Sequence, residues 1–146
     1  MIAEERGETL VELLVALTIL GITLVAVIGA FGASITMSDV HRKQASAGAA
    51  VRNYAELVAD YVAGTGYTAC AAASAYAAGT VGYNAPSGYA ASPVSIRYWT
   101  GSAWSAGCAS DTGLQQLTLS VSSADTRARE QLVLVLRKPC GTGSTC

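Results

Sequence analysis

The hydrophobic and polar positions of the chain divide it into two unlike parts. Between Glu12 and Asp39 lie 26 consecutive residues without a charge, Leu13 to Ser38. About 20 apolar residues suffice to cross a bilayer as a helix, and a helix is required because lipid offers no partner for backbone polar groups. The pattern therefore predicts one membrane-spanning helix near the N-terminus. A buried core helix is the less favoured alternative, because such helices rarely run this long without a polar face.

A cleaved secretory signal is a second alternative for the same segment. Its apolar core should be shorter, about 7–15 residues, with basic residues before it and a small-residue cleavage site after it. Here the first seven residues, MIAEERG, contain two glutamates and one arginine. The triplet Ala45–Ala47 resembles a cleavage site but lies well past the apolar run. The segment is therefore better interpreted as an anchor that the protein retains.

The helical pattern continues beyond the apolar run. Apolar residues recur there at three- and four-residue spacing, and charged residues occupy the opposite side. The apolar positions are Val51, Tyr54, Ala55, Val58, Tyr61 and Val62, and the charged ones are Arg42, Lys43, Arg52, Glu56 and Asp60. Gly64 and Gly66 provide a stop signal. We expect one continuous helix from about Thr9 to Val62, roughly 81 Å long, whose second half is amphipathic.

The rest of the chain predicts a long loop followed by a small sheet. Residues 64–93 are almost all small residues or tyrosine, which favours a loop with one short helical turn around Cys70–Ala78. Three later segments have the alternation or β-branched content of strands: Val94–Trp99, Leu117–Val121 and Leu132–Leu136. We therefore expect an α+β fold, in which the amphipathic half of the long helix packs on a small antiparallel sheet of three strands within 94–138.

Composition and charge exclude several classes of function. The formal net charge is −1 and only 13% of residues are charged, which argues against a dedicated nucleic-acid binder. The single histidine, His41, argues against a histidine-based metal site or a catalytic triad. Asp111 and Asp125 are isolated, which argues against a calcium site. We expect no enzyme activity, no cofactor and no bound metal.

The four cysteines are Cys70, Cys108, Cys140 and Cys146. They form no C-x-x-C pair, which argues against a zinc ribbon or a thioredoxin-like redox motif. An even number of cysteines in an exported domain with a small hydrophobic core suggests disulfides. Four cysteines allow three pairings. We favour Cys140–Cys146, because the glycines between them permit a tight loop, together with Cys70–Cys108. Free thiols are the alternative.

The most specific motif lies where the apolar run begins, in the segment Gly7-Glu8-Thr9-Leu10-Val11-Glu12. A carboxylate at the edge of a membrane helix is costly unless something pairs with it. This segment resembles the class III signal of type IV pilins and type II secretion pseudopilins. That signal is a short charged leader ending in glycine, one further residue, then T-L-[VI]-E and an apolar helix. The long helix, loop, small sheet and cysteine-closed tail resemble the pilin architecture as well.

The resemblance implies a processing pathway. A prepilin peptidase would cut after Gly7 and methylate the new amino terminus at Glu8, where the family usually has an apolar residue. Glu12 would become the fifth mature residue and pair with the amino terminus of a neighbouring subunit. The chain would divide into a leader (residues 1–7), a transmembrane and filament-core helix (8–38) and an extracytoplasmic domain (39–146). That domain would comprise helix to about residue 63, the loop 64–93, the strands and a tail at 139–146.

The resemblance also implies partners and a location. The expected partners are the peptidase, other pilin or pseudopilin subunits, an inner-membrane assembly platform and, before assembly, membrane lipid. The chain would cross the cytoplasmic membrane once. The motif implies that residues 39–146 lie outside the cytoplasm. The distribution of basic residues predicts that they lie inside it, because Arg42, Lys43 and Arg52 follow the span and only Arg6 precedes it. We give more weight to the motif and the cysteines.

Two functions follow from these expectations. The first is a structural subunit of a type IV pilus or a type II secretion pseudopilus. The alternative is a membrane-tethered binding or adhesion module that uses the tyrosine-rich loop 64–93, since exposed tyrosine is good contact material. The competing interpretation of Tyr67, Tyr76, Tyr83 and Tyr89 is that they pack against the sheet.

Overall fold

The computed structural model describes residues 9–140, and it contains one long helix and four strands in this range. Helix α1 spans Leu10–Tyr61 and is followed by a π-helical turn, Val62–Gly66, and a 3-10 turn, Ala73–Tyr76. The strands are β1 (Tyr89–Trp99), β2 (Trp104–Ser105), β3 (Leu114–Ser123) and β4 (Arg129–Arg137). The predicted α+β class is confirmed. The chain divides into two compact units between Asp39 and Val40.

The first unit is the apolar part of α1. Its large hydrophobic side chains are exposed from Leu10 to Met37, with exposed fractions such as 72% for Val25 and Ile35. Three threonines in this part donate their hydroxyls to carbonyls one turn back: Thr18 to Leu14 (2.7 Å), Thr23 to Ile19 (2.9 Å) and Thr36 to Gly32 (3.1 Å). Their polar groups are therefore satisfied within the helix. The helix is long and apolar enough to cross a membrane.

The second unit is built on the amphipathic half of α1. One face of the helix is buried, and it carries Ala47, Ala50, Val51, Tyr54 and Val58. These residues share a core with side chains from the sheet, namely Leu117, Leu119, Val121 and Leu136. Arg42, Arg52, Glu56 and Asp60 are exposed, and Lys43 is half-buried. The three- and four-residue spacing therefore predicted the buried face of α1 correctly.

The sheet has the order β2-β1-β3-β4 and all its neighbouring strands are antiparallel. The prediction of three strands was wrong by one, because β2 has only two residues and leaves no alternating pattern to detect. The predicted hairpin between the last two strands is confirmed. Leu117, Leu119 and Val121 of β3 point to the helix side and are fully buried, as their alternation indicated.

Strand β1 begins at Tyr89, five residues before the predicted start at Val94, so the loop is shorter than predicted. The added segment is Tyr89-Ala-Ala-Ser-Pro93, which lacks the large side chains that identify a strand. Proline also counts against a strand, but here it lies beside an irregularity. The register shifts between Pro93 and Ser95, so Val94 is an extra residue in the pairing with β3.

The helical segment ends at Gly64 and Gly66, the two glycines predicted to stop it. Gly64 has non-helical backbone angles (φ −78°, ψ −109°), and the π-helical turn ends at Gly66. A Cβ atom at Gly66 would overlap the ring of Tyr61, so this position requires glycine for space. The chain continues into the loop with Tyr67 in an extended conformation. The predicted helix from Thr9 to Val62 and its stop signal are both confirmed.

Candidate functional site

The N-terminal end of α1 carries the residue that the sequence singled out. Glu12 lies in the first turn of the helix and is exposed. Its backbone N–H donates to the Thr9 carbonyl oxygen at 2.9 Å and lies 3.3 Å from Thr9 Oγ1, so Thr9 caps the helix. A carboxylate in the first turn is favoured by the partial positive charge of the helix end. Gly7 and Glu8, the predicted cleavage and methylation sites, lie outside the described residues.

The surface next to Glu12 is apolar along the length of the first unit. Leu13, Leu14, Leu17 and Leu20 are between 49% and 64% exposed. A soluble monomer rarely exposes so large a contiguous apolar surface, which normally marks contact with a membrane or another protein. Glu12 is therefore a single carboxylate at the start of a surface that requires an apolar environment.

The tyrosines of the loop pack against the second unit. Tyr76 is fully buried and Tyr83 nearly so, while Tyr67 and Tyr89 are half-buried. The Tyr83 ring stacks on Tyr54 with a centroid distance of 4.8 Å and an interplanar angle of 13°. This geometry favours the packing interpretation of the tyrosines over a surface of exposed rings.

Tyrosine hydroxyl groups on both sides of the contact attach the loop and the start of β1 to the helix. Tyr83 donates to the Ala50 carbonyl of α1 at 3.0 Å, and Tyr89 donates to the Lys43 carbonyl at 3.3 Å. Tyr54 of α1 donates in the opposite direction, to the Tyr76 carbonyl at 2.6 Å. Each bond satisfies a polar group that would be costly to bury alone. A segment poor in aliphatic side chains therefore holds its place through phenol rings and their hydroxyls.

One polar residue of this network was not found from the sequence. Gln115 is fully buried near the start of β3. Its amide nitrogen donates to the Thr68 carbonyl at 2.8 Å, and its amide oxygen accepts from Tyr76 Oη at 2.9 Å. The only signal was its position two residues before Leu117, on the buried side of the alternation. The Gln115 amide is satisfied only by two residues of the folded loop. The alternation of residues along β3 carries no information about these partners.

The disulfide Cys70–Cys108 is present, as predicted, with 5.6 Å between the two Cα atoms. It closes 38 residues and joins the loop to the segment between β2 and β3. Cys140 is also disulfide-bonded, and no cysteine is free among residues 9–140. Its predicted partner, Cys146, lies outside the described residues, so that pairing stays a prediction.

Two aspartates pair with neutral or basic neighbours. Asp111 accepts from Tyr67 Oη at 2.8 Å, and Asp125 lies 2.6 Å from Lys43 Nζ. The Lys43 ammonium, with a hydrogen bond from Ser123, holds the pKa of Asp125 well below its usual range. This contact joins the β3–β4 turn to α1. Within the described part of the chain, acidic, histidine and cysteine side chains form no group of three that would hold a metal ion.

Burial also changes the acidity of the tyrosines. Desolvation raises the pKa of Tyr54 to about 12, and the negative charge of an ionised Tyr83 adds to the effect. Desolvation likewise raises the pKa of Tyr76 and of Tyr83 above the usual value. Burial and the hydrogen bond to Asp111 raise the pKa of Tyr67. The fold therefore favours the neutral phenols, and ionising them opposes folding.

We expect alkaline unfolding as a consequence. Because the folded pKa values lie above the unfolded value of 10, this contribution to stability is complete below pH 10 and is lost as the pH rises towards about 12. Parallel pH titrations of tyrosinate absorbance and near-ultraviolet circular dichroism should show ionisation and loss of tertiary structure together. Tyr83→Phe should shift the transition to higher pH. Ionisation of all tyrosines near pH 10 with the dichroism unchanged would contradict this prediction.

Comparison with known protein families bears on the N-terminal segment. Residues 3–28 match the family model of the prokaryotic N-terminal methylation motif. The matched segment includes Gly7, Glu8 and Glu12 and about half of the exposed apolar run. Searches of curated proteins and of solved structures returned no significant match. The chain therefore carries the prokaryotic N-terminal methylation motif, the class III signal of type IV pilins and pseudopilins.

Proposed function

We propose that this protein is a structural subunit of a type IV pilus or a type II secretion pseudopilus. The observation that carries the proposal is the motif at residues 3–28 at the start of an apolar helix with exposed side chains. A motif of this kind marks a substrate of prepilin processing. The activity of the protein would be polymerisation through its N-terminal helix, and the motif favours a structural subunit over an enzyme.

Processing would begin at the leader. In the proposed scheme, a prepilin peptidase cleaves the peptide bond between Gly7 and Glu8 and methylates the new amino group. Methylation of an amine retains its positive charge near neutral pH, so the mature chain would begin with a cation at residue 8. The Glu12 carboxylate would then follow this cation by four residues in the sequence.

Glu12 would direct assembly through charge pairing. An unpaired carboxylate and an unpaired ammonium are each costly among packed apolar helices, whereas the pair is tolerated. In the proposed filament, Glu12 of one subunit contacts the amino terminus of the next, which favours one axial register. A buried polar contact selects register in coiled coils by the same principle.

The exposed apolar part of α1 would have two successive environments. Before assembly, lipid would cover residues 13–38, since these side chains are suited to a bilayer and the three threonine hydroxyls bond within the helix. After extraction by an inner-membrane assembly platform, the same side chains would pack against those of neighbouring subunits. The helix exchanges one apolar environment for another, so the transfer between them requires little desolvation.

The second unit would lie outside the cytoplasm. The Cys70–Cys108 disulfide supports this orientation, because disulfides persist in oxidising compartments and are rare in the cytosol. The basic residues after the span favour the opposite orientation. Of these, Lys43 is engaged by Asp125 at 2.6 Å, so its charge is partly compensated within the folded domain.

The tethered binding module remains the alternative, but the tyrosine packing weakens it. Tyr76 and Tyr83 have buried rings, and their hydroxyls bond to Gln115 and to the Ala50 carbonyl. A ligand that used them would have to displace these contacts. Tyr67 and Tyr89 are half-buried and their hydroxyls are also bonded, to Asp111 and to the Lys43 carbonyl.

Gly7→Ala tests the processing step. We expect this variant to retain the seven-residue leader in cells that contain a prepilin peptidase, because the larger side chain lies at the scissile bond. Intact mass and migration on a gel distinguish the two forms. Gly21→Ala is the matched control, since a Cβ there meets nothing within 4 Å, and it should be cleaved normally. Normal cleavage of Gly7→Ala, or an uncleaved wild-type chain, would refute the proposal.

A further inference from the structure

The face of the sheet that points away from α1 carries exposed aliphatic side chains. Leu117 of β3 is buried on the helix side, so its neighbours Gln116 and Thr118 point to the opposite, outer face. The register places Val135 of β4 beside Gln116 and Val133 beside Thr118, on the same face. The two valines are 54% and 56% exposed. Outward positions of a water-covered antiparallel sheet are usually polar, so these valines mark a face that is suited to contact with another surface.

The outer face is also basic. Arg97 of β1 lies in the same row of the sheet as Val135, because both pair with the same residue of β3, and Arg137 follows Val135 by two positions. Both arginines are exposed, and neither has an ion-pair partner in the described part of the chain. Glu130 is the only acidic residue of the four strands, and it pairs with Val121 on the helix side. The outer face therefore combines apolar side chains with positive charge that no strand carboxylate compensates.

The solvent side of α1 in the second unit has the opposite charge. Glu56 is two residues after Tyr54, and Asp60 is two residues after Val58. Each acidic side chain therefore leaves the helix about 200° from a buried residue and points away from the sheet. Both are exposed and have no ion-pair partner among the residues that the structure describes. Leu57, next to Glu56, is exposed as well.

A groove of about 340 Å³ lies between α1 and the loop. Its lining brings the two carboxylates together with apolar and amide groups, and consists of Asn53, Glu56, Leu57, Asp60, Tyr83 and Asn84. Arg52, one turn before Glu56, is not part of the lining. The groove therefore offers what the outer face of the sheet lacks, namely negative charge beside an apolar side chain.

The two surfaces lie on opposite sides of the second unit, with the packed helix and sheet between them. They cannot meet within one molecule, and a two-fold dimer through either surface alone would oppose like charges. Contact between unlike surfaces of successive copies repeats in one direction and builds an open polymer. The distribution of charge therefore favours a head-to-tail contact over a closed dimer.

We propose that the outer face of the sheet binds the α1 groove of a second copy of this chain. Its arginines would pair with the two carboxylates of the groove, and its valines would cover Leu57. An arginine suits such a groove, because its aliphatic stem packs on apolar surface while its guanidinium pairs with carboxylates. The inference rests on the proposed polymerisation, in which packed N-terminal helices would hold neighbouring second units at high local concentration.

The contact is weak by itself. Three strands about 4.8 Å apart, of which β4 has nine residues, present roughly 400 Å², or about half of what each partner buries in a stable interface. The second unit alone therefore stays monomeric, and the contact forms where the N-terminal helices hold subunits together. Loss of one carboxylate leaves the other for an arginine, so a test must reverse both charges of a surface.

Charge reversal tests the pairing in cells that contain the assembly system. Arg97→Glu with Arg137→Glu reverses the sheet face, and Glu56→Arg with Asp60→Arg reverses the groove. Each double variant should lower the amount of protein in sheared filaments by about fivefold or more, because like charges replace two ion pairs. Combining all four substitutions restores opposite charges and should return the amount to within about twofold of the wild type. Arg127→Glu, in the exposed β3–β4 turn and outside both surfaces, is the control and should assemble normally.

The outcomes separate this contact from the polymer itself. Near-ultraviolet circular dichroism and intact mass verify the fold and the Cys70–Cys108 disulfide in each variant. Normal assembly of either double variant would overturn the contact and leave the proposed function intact. A defect confined to the sheet variant would indicate an acidic partner other than a second copy, and it too would overturn the contact, as would failure of the fourfold variant to recover. A wild-type chain that enters no filament would refute both the contact and the proposed function.

Discussion

Replacing Glu12 by alanine is expected to abolish incorporation of the protein into filaments while leaving cleavage after Gly7 intact. Without the Glu12 carboxylate, the amino terminus of the neighbouring subunit would enter an apolar bundle unpaired. Breaking such a buried pair costs about 3–5 kcal/mol, which corresponds to a loss of roughly 10²- to 4 × 10³-fold in association at each contact. Each subunit forms this contact once with a neighbour, so the loss recurs along the polymer. Sheared surface or pseudopilus fractions, probed for the protein, provide the measurement.

Two further variants make this result specific. Glu12→Asp keeps the charge on a shorter side chain and should restore part of the assembly. Glu56→Ala removes an exposed carboxylate from the second unit and should assemble normally. Processing is followed in the same cells by intact mass, so a defect in cleavage is distinguished from a defect in assembly. Wild-type levels of Glu12→Ala in filaments would show that this carboxylate does not direct assembly.

Replacing Tyr54 by alanine should cause the largest loss of stability in the second unit. Tyr54 is fully buried, stacks on Tyr83 and donates its hydroxyl to the Tyr76 carbonyl. Removal of a buried aromatic side chain typically costs about 3–5 kcal/mol. For a domain of roughly 100 residues, this corresponds to a decrease in Tm of about 14–24 °C. Thermal unfolding of the full chain in detergent, followed by near-ultraviolet circular dichroism, measures the effect.

The conservative variant Tyr54→Phe distinguishes the contribution of the Tyr54 ring to stability from that of its hydroxyl. Tyr54→Phe retains the stacking and leaves only the Tyr76 carbonyl without its donor, at a cost of about 1–2 kcal/mol. Limited proteolysis reports on the loop independently, and Tyr54→Ala should expose the segment around Tyr76 to cleavage. A Tyr54→Ala chain as stable as the Tyr54→Phe chain would indicate that the stacked ring contributes little.

The long helix could be predicted from the sequence because each of its signals is local. The 26-residue uncharged run, the three- and four-residue spacing up to Val62 and the glycines at 64 and 66 each depend on neighbours in the sequence. Side chains within one or two turns determine whether such a segment is helical and which face is buried. The structure has α1 at Leu10–Tyr61 with the predicted face buried.

The loop could not be predicted in the same way because distant residues hold it. Tyr83 bonds to a carbonyl 33 residues earlier, and Gln115 bonds to one 47 residues earlier. Spacing rules cover only neighbouring residues and cannot detect such contacts, so the sequence predicts this segment only as a loop. Strand β2 was missed for a different reason, since its two residues leave no alternating pattern to detect. The Cys70–Cys108 pairing was favoured from the sequence, but four cysteines left other pairings open.

The tyrosine hydroxyls that attach the loop donate to backbone groups, and this determines which substitutions the attachment tolerates. Tyr54, Tyr83, Tyr89 and Tyr98 all donate to backbone carbonyls, of Tyr76, Ala50, Lys43 and Ala71 respectively. A carbonyl is present whichever side chain its residue carries, so the acceptor positions are not tied to one amino acid by these bonds. A substitution at Lys43 would break its ion pair with Asp125 but leave the hydrogen bond from Tyr89 in place. The tyrosine hydroxyls can therefore keep their acceptors while the side chains at the acceptor positions change.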